Sequence, residues 1–336
     1  VDSITHIVSG ALIGEAIAGR QLKKKAMLWG AIAQTIPDVD VITSLWMSPA
    51  QSVLAHRGFT HSFLFVALAS PFLAGLVKGL SRNQSMTLLR WMILFATELT
   101  VHLTIDSLTT YGTAWFEPFS HHRVSFNVIF VADPFYTFWM LLAVLVLLIM
   151  KSEKKVRIRW ITFGLVTSTL YLGYCFNNKR MIDRVVRHEL NKEQISYSRF
   201  ITTPAPLNSW LWYLVAETSD GFYMGYHSVF DKGDPPPYHY FARNDLLVPV
   251  AARTEDFHCL KRFSQGYYTI ENRNDTLVFN DLRFGQMAGW QDPNSPFVFH
   301  YYLQEEGSNK MVVQRGRFAG AGQGAFRSLV ERIKGH

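Results

Sequence analysis

At 336 residues the chain has room for two domains, and its long apolar runs fall almost entirely before residue 177. A net charge of +7 would suit nucleic acid in a soluble protein, but much of the excess sits in short loops beside apolar segments, where it reads as a topology signal, so nucleic-acid binding is set aside. The two cysteines, Cys175 and Cys259, are too few for a disulfide framework or a thiolate zinc site.

The first residues, Val1 to Arg20, lack the basic start and small-residue cleavage site of a signal peptide and are expected in the mature fold. Apolar segments then fall at 4–19, 26–47 (interrupted by Pro37), 62–77, 91–110, 134–150 and 158–176. A membrane span needs roughly 17–25 residues, so the first two are marginal and could be partial or tilted insertions. Segment 134–150 contains no charge and reads as the clearest span. Pro71, inside 62–77, would break a water-exposed helix but is tolerated in a membrane. The expected fold is an α-helical integral membrane domain of about six helices over 1–176, followed by a soluble, mostly β domain over 177–336.

Lysine and arginine set the orientation. One set of alternate loops holds Arg20, Lys23, Lys24, Lys25, Lys78, Arg82, Arg90, Lys151, Lys154, Lys155, Arg157 and Arg159; the other holds only Arg57 and Arg123. The first set should be cytoplasmic. If all six segments cross, both termini and the whole of 177–336 are extracytoplasmic. Within that tail, a polar helical stretch to about 194 precedes strand-like runs at 210–216, 222–226, 276–279 and 297–302, where aromatic and β-branched residues are bounded by turn formers. Pro235 to Pro237 mark a loop, and the Gly-rich stretch 316–324 is too short and isolated for a phosphate loop.

Four polar clusters interrupt the apolar segments: His6; Asp38 and Asp40; His56 and His61; His102 and Asp106. Imidazoles and carboxylates are costly in such surroundings unless they bind one another, a proton or a metal. The topology brings all seven to about the same depth near the outer face. His102 and Asp106, four apart on a helix, share one side and can bind one ion or two neighbouring ions; a surface hydrogen bond is the plainer alternative. Pro37 ends regular helix, so Asp38 and Asp40 sit on irregular backbone where both carboxylates can face one centre, or form a solvated turn with Asp40 as an N-cap. Gly58 permits a bend and Thr60 or Ser62 can cap the next helix, so a loop-to-helix junction can unite His56 and His61, or be only a capped helix start.

Four imidazoles and three carboxylates without a thiolate suit two or three zinc ions, with manganese or iron as alternatives. Such metals make water a nucleophile near neutral pH and polarise a phosphoryl or carbonyl oxygen, which points to hydrolysis. Glu98, one turn below His102, reads as a partner orienting that ring, as a proton acceptor, or as an interhelical hydrogen bond. Arg57 can clamp a phosphate or anchor its segment at the headgroups. His121, His122 and Arg123 stand where they could line an entrance. Asp133 reads as an N-cap, and Glu15 lies too near the cytoplasmic end to join the cluster.

The motifs Asp2-Ser-Ile-Thr-His6, Pro37-Asp38-Val-Asp40, His56-Arg-Gly-Phe-Thr-His61-Ser62, His102-Leu-Thr-Ile-Asp106 and Ala132-Asp133-Pro134 closely resemble the YdjM-like family of bacterial inner-membrane proteins over about residues 1–180. The resemblance implies a metal-dependent hydrolase at that membrane. A more distant likeness, resting on the His102 to Asp106 spacing alone, is to zinc-dependent phospholipase C and P1 nuclease, and implies a phosphoester bond. The leading expectation is thus hydrolysis of a lipid or lipid-linked phosphoester reached from the bilayer. A metal-ion transporter would need polar stepping stones at several depths, which are missing apart from Glu98 and Glu15. A membrane-anchored binding protein would not need seven inward-facing polar groups.

Overall fold

The computed structural model describes residues 2–80, 85–149, 154–232, 237–249, 254–273, 276–303, 311–313 and 324–335. Most of the Pro235 to Pro237 loop and of the Gly-rich stretch 316–324 lies outside them. Helices fill the N-terminal half and β-sheets dominate the C-terminal half. Two compact units result, Val1–Ile42 with Ala55–Cys175, and Thr43–Leu54 with Phe176–His336. The segment Thr43–Leu54 therefore groups with the second unit, although it lies inside the 1–176 stretch expected as one domain.

In the first unit α1 (Ser3–Leu22) begins where the Asp2 carboxylate accepts from the Thr5 amide at 3.0 Å, and returns as α2 (Lys25–Thr35). Gly10 and Gly14, one turn apart on α1, face Gly30 of α2. A Cβ on Gly30 would lie 1.9 Å from the Gly10 carbonyl oxygen, so only glycine permits this approach. Pro37 converts the chain to a 3-10 turn, Pro37–Leu45, and the short α3 (Pro49–Ala55) follows. A second 3-10 turn, Phe59–His61, leads into α4 (Phe63–Leu80), which runs through Pro71, and then α5 (Leu88–Ser107). Trp91, Leu94 and Phe95 of α5 are buried with Ala18, Leu22 and Ala26, tying α5 to the α1–α2 pair. The last members are α6 (Pro134–Ile149) and the beginning of α7 (Lys154–Lys192), whose Gly164 abuts Ala143 of α6 and Leu12 of α1.

Among the described residues two helices, α4 and α5, are long and apolar enough to cross a membrane. The expectation of about six spans is therefore met only in part. At 11 residues α2 rises about 16 Å, far short of a ~30 Å hydrocarbon core. The charge-free run 134–150, expected as the clearest span, forms a 16-residue helix of about 24 Å. Apolar side chains nevertheless point outward from the helices: Leu68 and Phe72 on α4, Leu89 on α5, Phe138 and Leu145 on α6, Leu170 on α7 are all exposed. Polar groups such as Glu98, His102 and Asp106 are inside, the reverse of a water-soluble arrangement.

The second unit begins inside α7. Its helix continues without a break to Lys192, as the polar stretch to about 194 suggests. Two antiparallel four-stranded meanders follow: β1 (Arg199–Pro204), β2 (Leu211–Glu217), β3 (Gly221–Ser228) and β4 (His239–Ala242) in one sheet, then α8 (Glu255–Phe263), then β5 (Tyr268–Arg273), β6 (Thr276–Gln286), β7 (Phe297–Leu303) and β8 (Met311–Val313) in the other. Strand alternation decides what β2 buries. Leu211, Tyr213 and Val215 face a core shared with Leu282, Phe297 and Leu329 of α9 (Ala325–Ile333), while Trp212, Leu214 and Ala216 face Ile182, Val186 and Leu190 of α7. Each such large apolar side chain contributes about 1.5–3 kcal/mol on burial.

Candidate metal centre

Five separate pieces of the first unit supply the polar side chains. His6 comes from α1, Asp38 and Asp40 from the Pro37–Leu45 turn, His56 and Arg57 from the bend after α3, His61 from the Phe59–His61 turn, and His102 with Asp106 from one face of α5. The bend differs from expectation at one residue. Arg57, not Gly58, takes the left-handed conformation, with φ of 62°, which is uncommon for a residue with a side chain and is held here by a hydrogen bond from its amide to Asp40 Oδ2 at 2.9 Å.

Asp38, His61, His102 and Asp106 each offer one ligand atom, all within 4.8 Å of one another. His61 Nε2 and His102 Nε2 are 3.1 Å apart. From these nitrogens to Asp38 Oδ1 the distances are 3.5 and 3.6 Å, and to Asp106 Oδ2 again 3.5 and 3.6 Å. Such separations exceed good hydrogen-bond lengths. These five separations lie near the ~3.3–3.4 Å edges of a tetrahedron whose corners stand ~2.0–2.1 Å from a central ion, while the four ligand atoms as a group lie within 4.8 Å of one another.

The surroundings aim the rings. His102 Nδ1 donates to the Gln34 carbonyl oxygen at 2.5 Å, which leaves Nε2 for the centre. His61 Nδ1 lies 3.0 Å from Thr60 Oγ1 and 3.3 Å from Asp40 Oδ2, so its Nε2 also faces inward. His61, His102 and Asp106 are fully buried and Asp38 is 31% exposed, so the centre opens on the Asp38 side. The donor set of two nitrogens and two oxygens, without sulfur, is able to hold a divalent cation.

Not every residue expected as a ligand reaches the centre. Asp40 is turned away: Oδ1 bonds His56 Nδ1 at 2.6 Å, and Oδ2 accepts from the Arg57 amide and from Thr60 Oγ1 at 2.7 Å. His56, one-third exposed, stays with Asp40 outside the four-donor group. His6 adjoins it, with Nε2 3.1 Å from Asp106 Oδ1 and its ring stacked on His102 at 3.9 Å. Arg57 is buried, its Nε 3.0 Å from Asp106 Oδ2, its guanidinium 4.8 Å from the centre of the Tyr111 ring and bonded to Thr109. Glu98 does not orient His102, because the Gln34 carbonyl occupies that ring nitrogen. Its buried carboxyl faces the Gln34 side chain, whose Oε1 is in turn 3.3 Å from His6 Nδ1.

Gln34 and Thr60 are the contributors that sequence reasoning missed. A lone amide three residues before Pro37 in an otherwise apolar helix was the available signal for the first. Among the remaining expectations, Asp133 caps α6 by accepting from the Phe135 and Tyr136 amides, and Ser62 Oγ accepts from the Phe65 amide at the start of α4. Glu15 is far from the centre and paired with Arg157 at 2.9 Å. His121 and His122 are exposed, with His121 bonded to Glu117, while Arg123 is buried and donates to the His56 carbonyl.

The model of the YdjM inner membrane protein family matches residues 1–182, which span every residue of this centre and end within α7. The chain belongs to that family. Inner membrane protein YbcI of Escherichia coli (strain K12) is similar to it, 32% identical over 122 residues that make up 36% of this chain and 69% of the relative. No solved structure matches. Both the family and this relative are named as inner membrane proteins, and the two long apolar helices fit membrane association.

Metal binding at this YdjM-family centre should be proton-linked. Burial disfavours charge on His61, but the three carboxylates around it, Asp106, Asp38 and Asp40, outweigh it and raise its pKa to about 9. Below that pH a cation must displace the proton. Affinity should therefore rise about tenfold per pH unit from pH 7 and level off near 9. Zinc titration against a competing chelator at several pH values checks this, and a constant affinity between pH 7 and 9 contradicts it.

Proposed function

We propose that this YdjM-family chain is a membrane-bound, metal-dependent hydrolase of a phosphoester in a lipid or lipid-linked substrate. The observation that carries the reading is the convergence of one donor atom each from Asp38, His61, His102 and Asp106 within 4.8 Å, with Asp38 the partly exposed member. Zinc suits the nitrogen and oxygen donors best, with manganese or iron as alternatives. The His6 contact to the second oxygen of Asp106 offers the place for a further ion. When bound, such a cation lowers the pKa of water and polarises a phosphoryl oxygen.

The chain's own residues do the rest. The Gln34 carbonyl and the Asp40–Thr60 pair hold the two imidazoles with Nε2 inward, and Arg57 fixes Asp106 and brings positive charge beside the centre, where it is proposed to meet a phosphate. Glu98, whose buried carboxyl oxygens have no hydrogen-bond partner among the described residues, is the group proposed to exchange a proton. The panel that tests this begins with phospholipids and polyprenyl phosphates and includes nucleotides as the soluble control. Product release should require metal and stop on chelation. Metal binding without hydrolysis of any of these, together with metal movement across liposomes, would replace the reading with a transporter.

Its membrane setting is proposed on the twelve basic residues of alternate loops against Arg57 and Arg123 on the others. It puts the chain in the bacterial inner membrane as a multi-pass protein, with the centre and 177–336 extracytoplasmic. A reporter fused after residue 155 should behave as cytoplasmic and one at the C-terminus as extracytoplasmic. A cytoplasmic C-terminus would remove the argument that the centre faces outward.

A further inference from the structure

A cavity of about 650 Å³ lies at the end of the helical unit away from the metal centre. It is lined by the last turns of α1, the first turns of α5 and the first turns of α7. His6 and Glu15 are nine residues apart on α1, and Arg90 and His102 twelve apart on α5, so helix rise alone puts the cavity roughly 13–18 Å from the metal centre.

Its charge is unbalanced. Of the three arginines that line it, Arg157 is spent on Glu15, with Nε and NH2 each 2.9 Å from Oε1. Arg20 and Arg90 are exposed, and neither guanidinium forms an ion pair or hydrogen bond among the described residues. Two positive charges are thus left over. The remaining wall is apolar: Ile17, Ile93, Ile158 and Ile161 line the same space, and Ile93 and Ile158 are nearly half exposed on the outer surface of their helices. A soluble anion would satisfy the arginines and leave the isoleucines uncovered.

We propose that this cavity binds an anionic phospholipid, its phosphate held by Arg20 and Arg90 and its acyl chain laid along Ile17, Ile93, Ile158 and Ile161. The two arginines, on the last turn of α1 and the first turn of α5, belong to the basic set on which the cytoplasmic side is proposed, so the lipid comes from that leaflet, opposite the metal centre. Basic pockets at the cytoplasmic ends of membrane helices recognise anionic headgroups in this way. The site stands apart from the hydrolase reading and holds whether or not the chain cleaves phosphoesters.

The experiment uses the full chain, equilibrated with phosphatidylglycerol and phosphatidylcholine in equal amounts and examined for retained lipid by native mass spectrometry. The wild type should retain phosphatidylglycerol selectively, and the double variant Arg20→Ala/Arg90→Ala should retain it about thirtyfold less, from roughly a tenfold factor or less per arginine. Ile93→Trp, which narrows the cavity and leaves both charges, should also lower retention. Millimolar inorganic phosphate should not displace the lipid. Equal retention of the two lipids, undiminished retention in both variants, or displacement by phosphate alone would each overturn the proposal. Unchanged metal content in the variants keeps this outcome separate from the fate of the metal centre.

Discussion

Asp106→Ala should strip the bound metal from the purified chain and lower its thermal stability by more than metal removal alone. Asp106 is fully buried and stands beside His6 at 3.1 Å, Arg57 at 3.0 Å, His61 at 3.5 Å and His102 at 3.6 Å. Two losses combine. The cation binds only the folded arrangement, so its departure removes about 4 kcal/mol if the wild type is measured at a thousandfold excess over its dissociation constant. The substitution also leaves the Arg57 guanidinium buried without its carboxylate, which costs about 3–5 kcal/mol. Chelation of the wild type should reproduce the first loss and not the second. His102→Ala should lose the metal with the smaller destabilisation, since no buried charge is stranded. Elemental analysis and melting curves with and without chelator measure both, and full metal occupancy in Asp106→Ala and His102→Ala would remove the pair from the centre.

Arg57→Ala should retain metal and lose roughly 2–5 kcal/mol of transition-state stabilisation, a fall in turnover of about thirtyfold to several thousandfold. The structure sharpens what the result means. Its guanidinium is held by Asp106, Thr109 and the Tyr111 face, so this arginine has a structural task in the resting chain as well as a proposed one in turnover. Metal retained with turnover lost assigns it to the substrate. Metal lost along with turnover assigns it to holding Asp106, and the phosphate clamp is then withdrawn. Arg57→Lys separates the two further, because a lysine can keep the charge beside Asp106 but not the planar fork that grips a phosphate at two oxygens.

Some of this molecule is legible in the residues alone. His102 and Asp106 share a helix face because four residues make about one turn, and that spacing survives any packing. The strands β2, β3, β6 and β7 declare themselves through runs of aromatic and β-branched residues. Strands β1 and β5 do not, since Arg199, Pro204, Glu271, Asn272 and Arg273 dilute the pattern, and their pairing with β2 and β6 is a tertiary choice. The excess of basic residues in alternate loops is likewise a property of the chain itself.

Only the fold decides which polar groups face the centre. Asp38 and Asp40 are two apart in sequence and chemically alike, yet the 3-10 turn after Pro37 sends one carboxylate to His61 and His102 and the other to His56, Thr60 and the Arg57 amide. Sequence distance cannot separate them, because the difference lies in which amides and hydroxyls arrive from elsewhere to satisfy the second. The same holds for Gln34 and Glu98. Position on α5 makes Glu98 the natural neighbour of His102, but the close α1–α2 approach allowed by Gly10, Gly14 and Gly30 belongs to a packing that delivers a backbone carbonyl to that ring instead. A carbonyl belongs to every residue and leaves no mark in the sequence, so the group that orients His102 became visible only when the helices were packed.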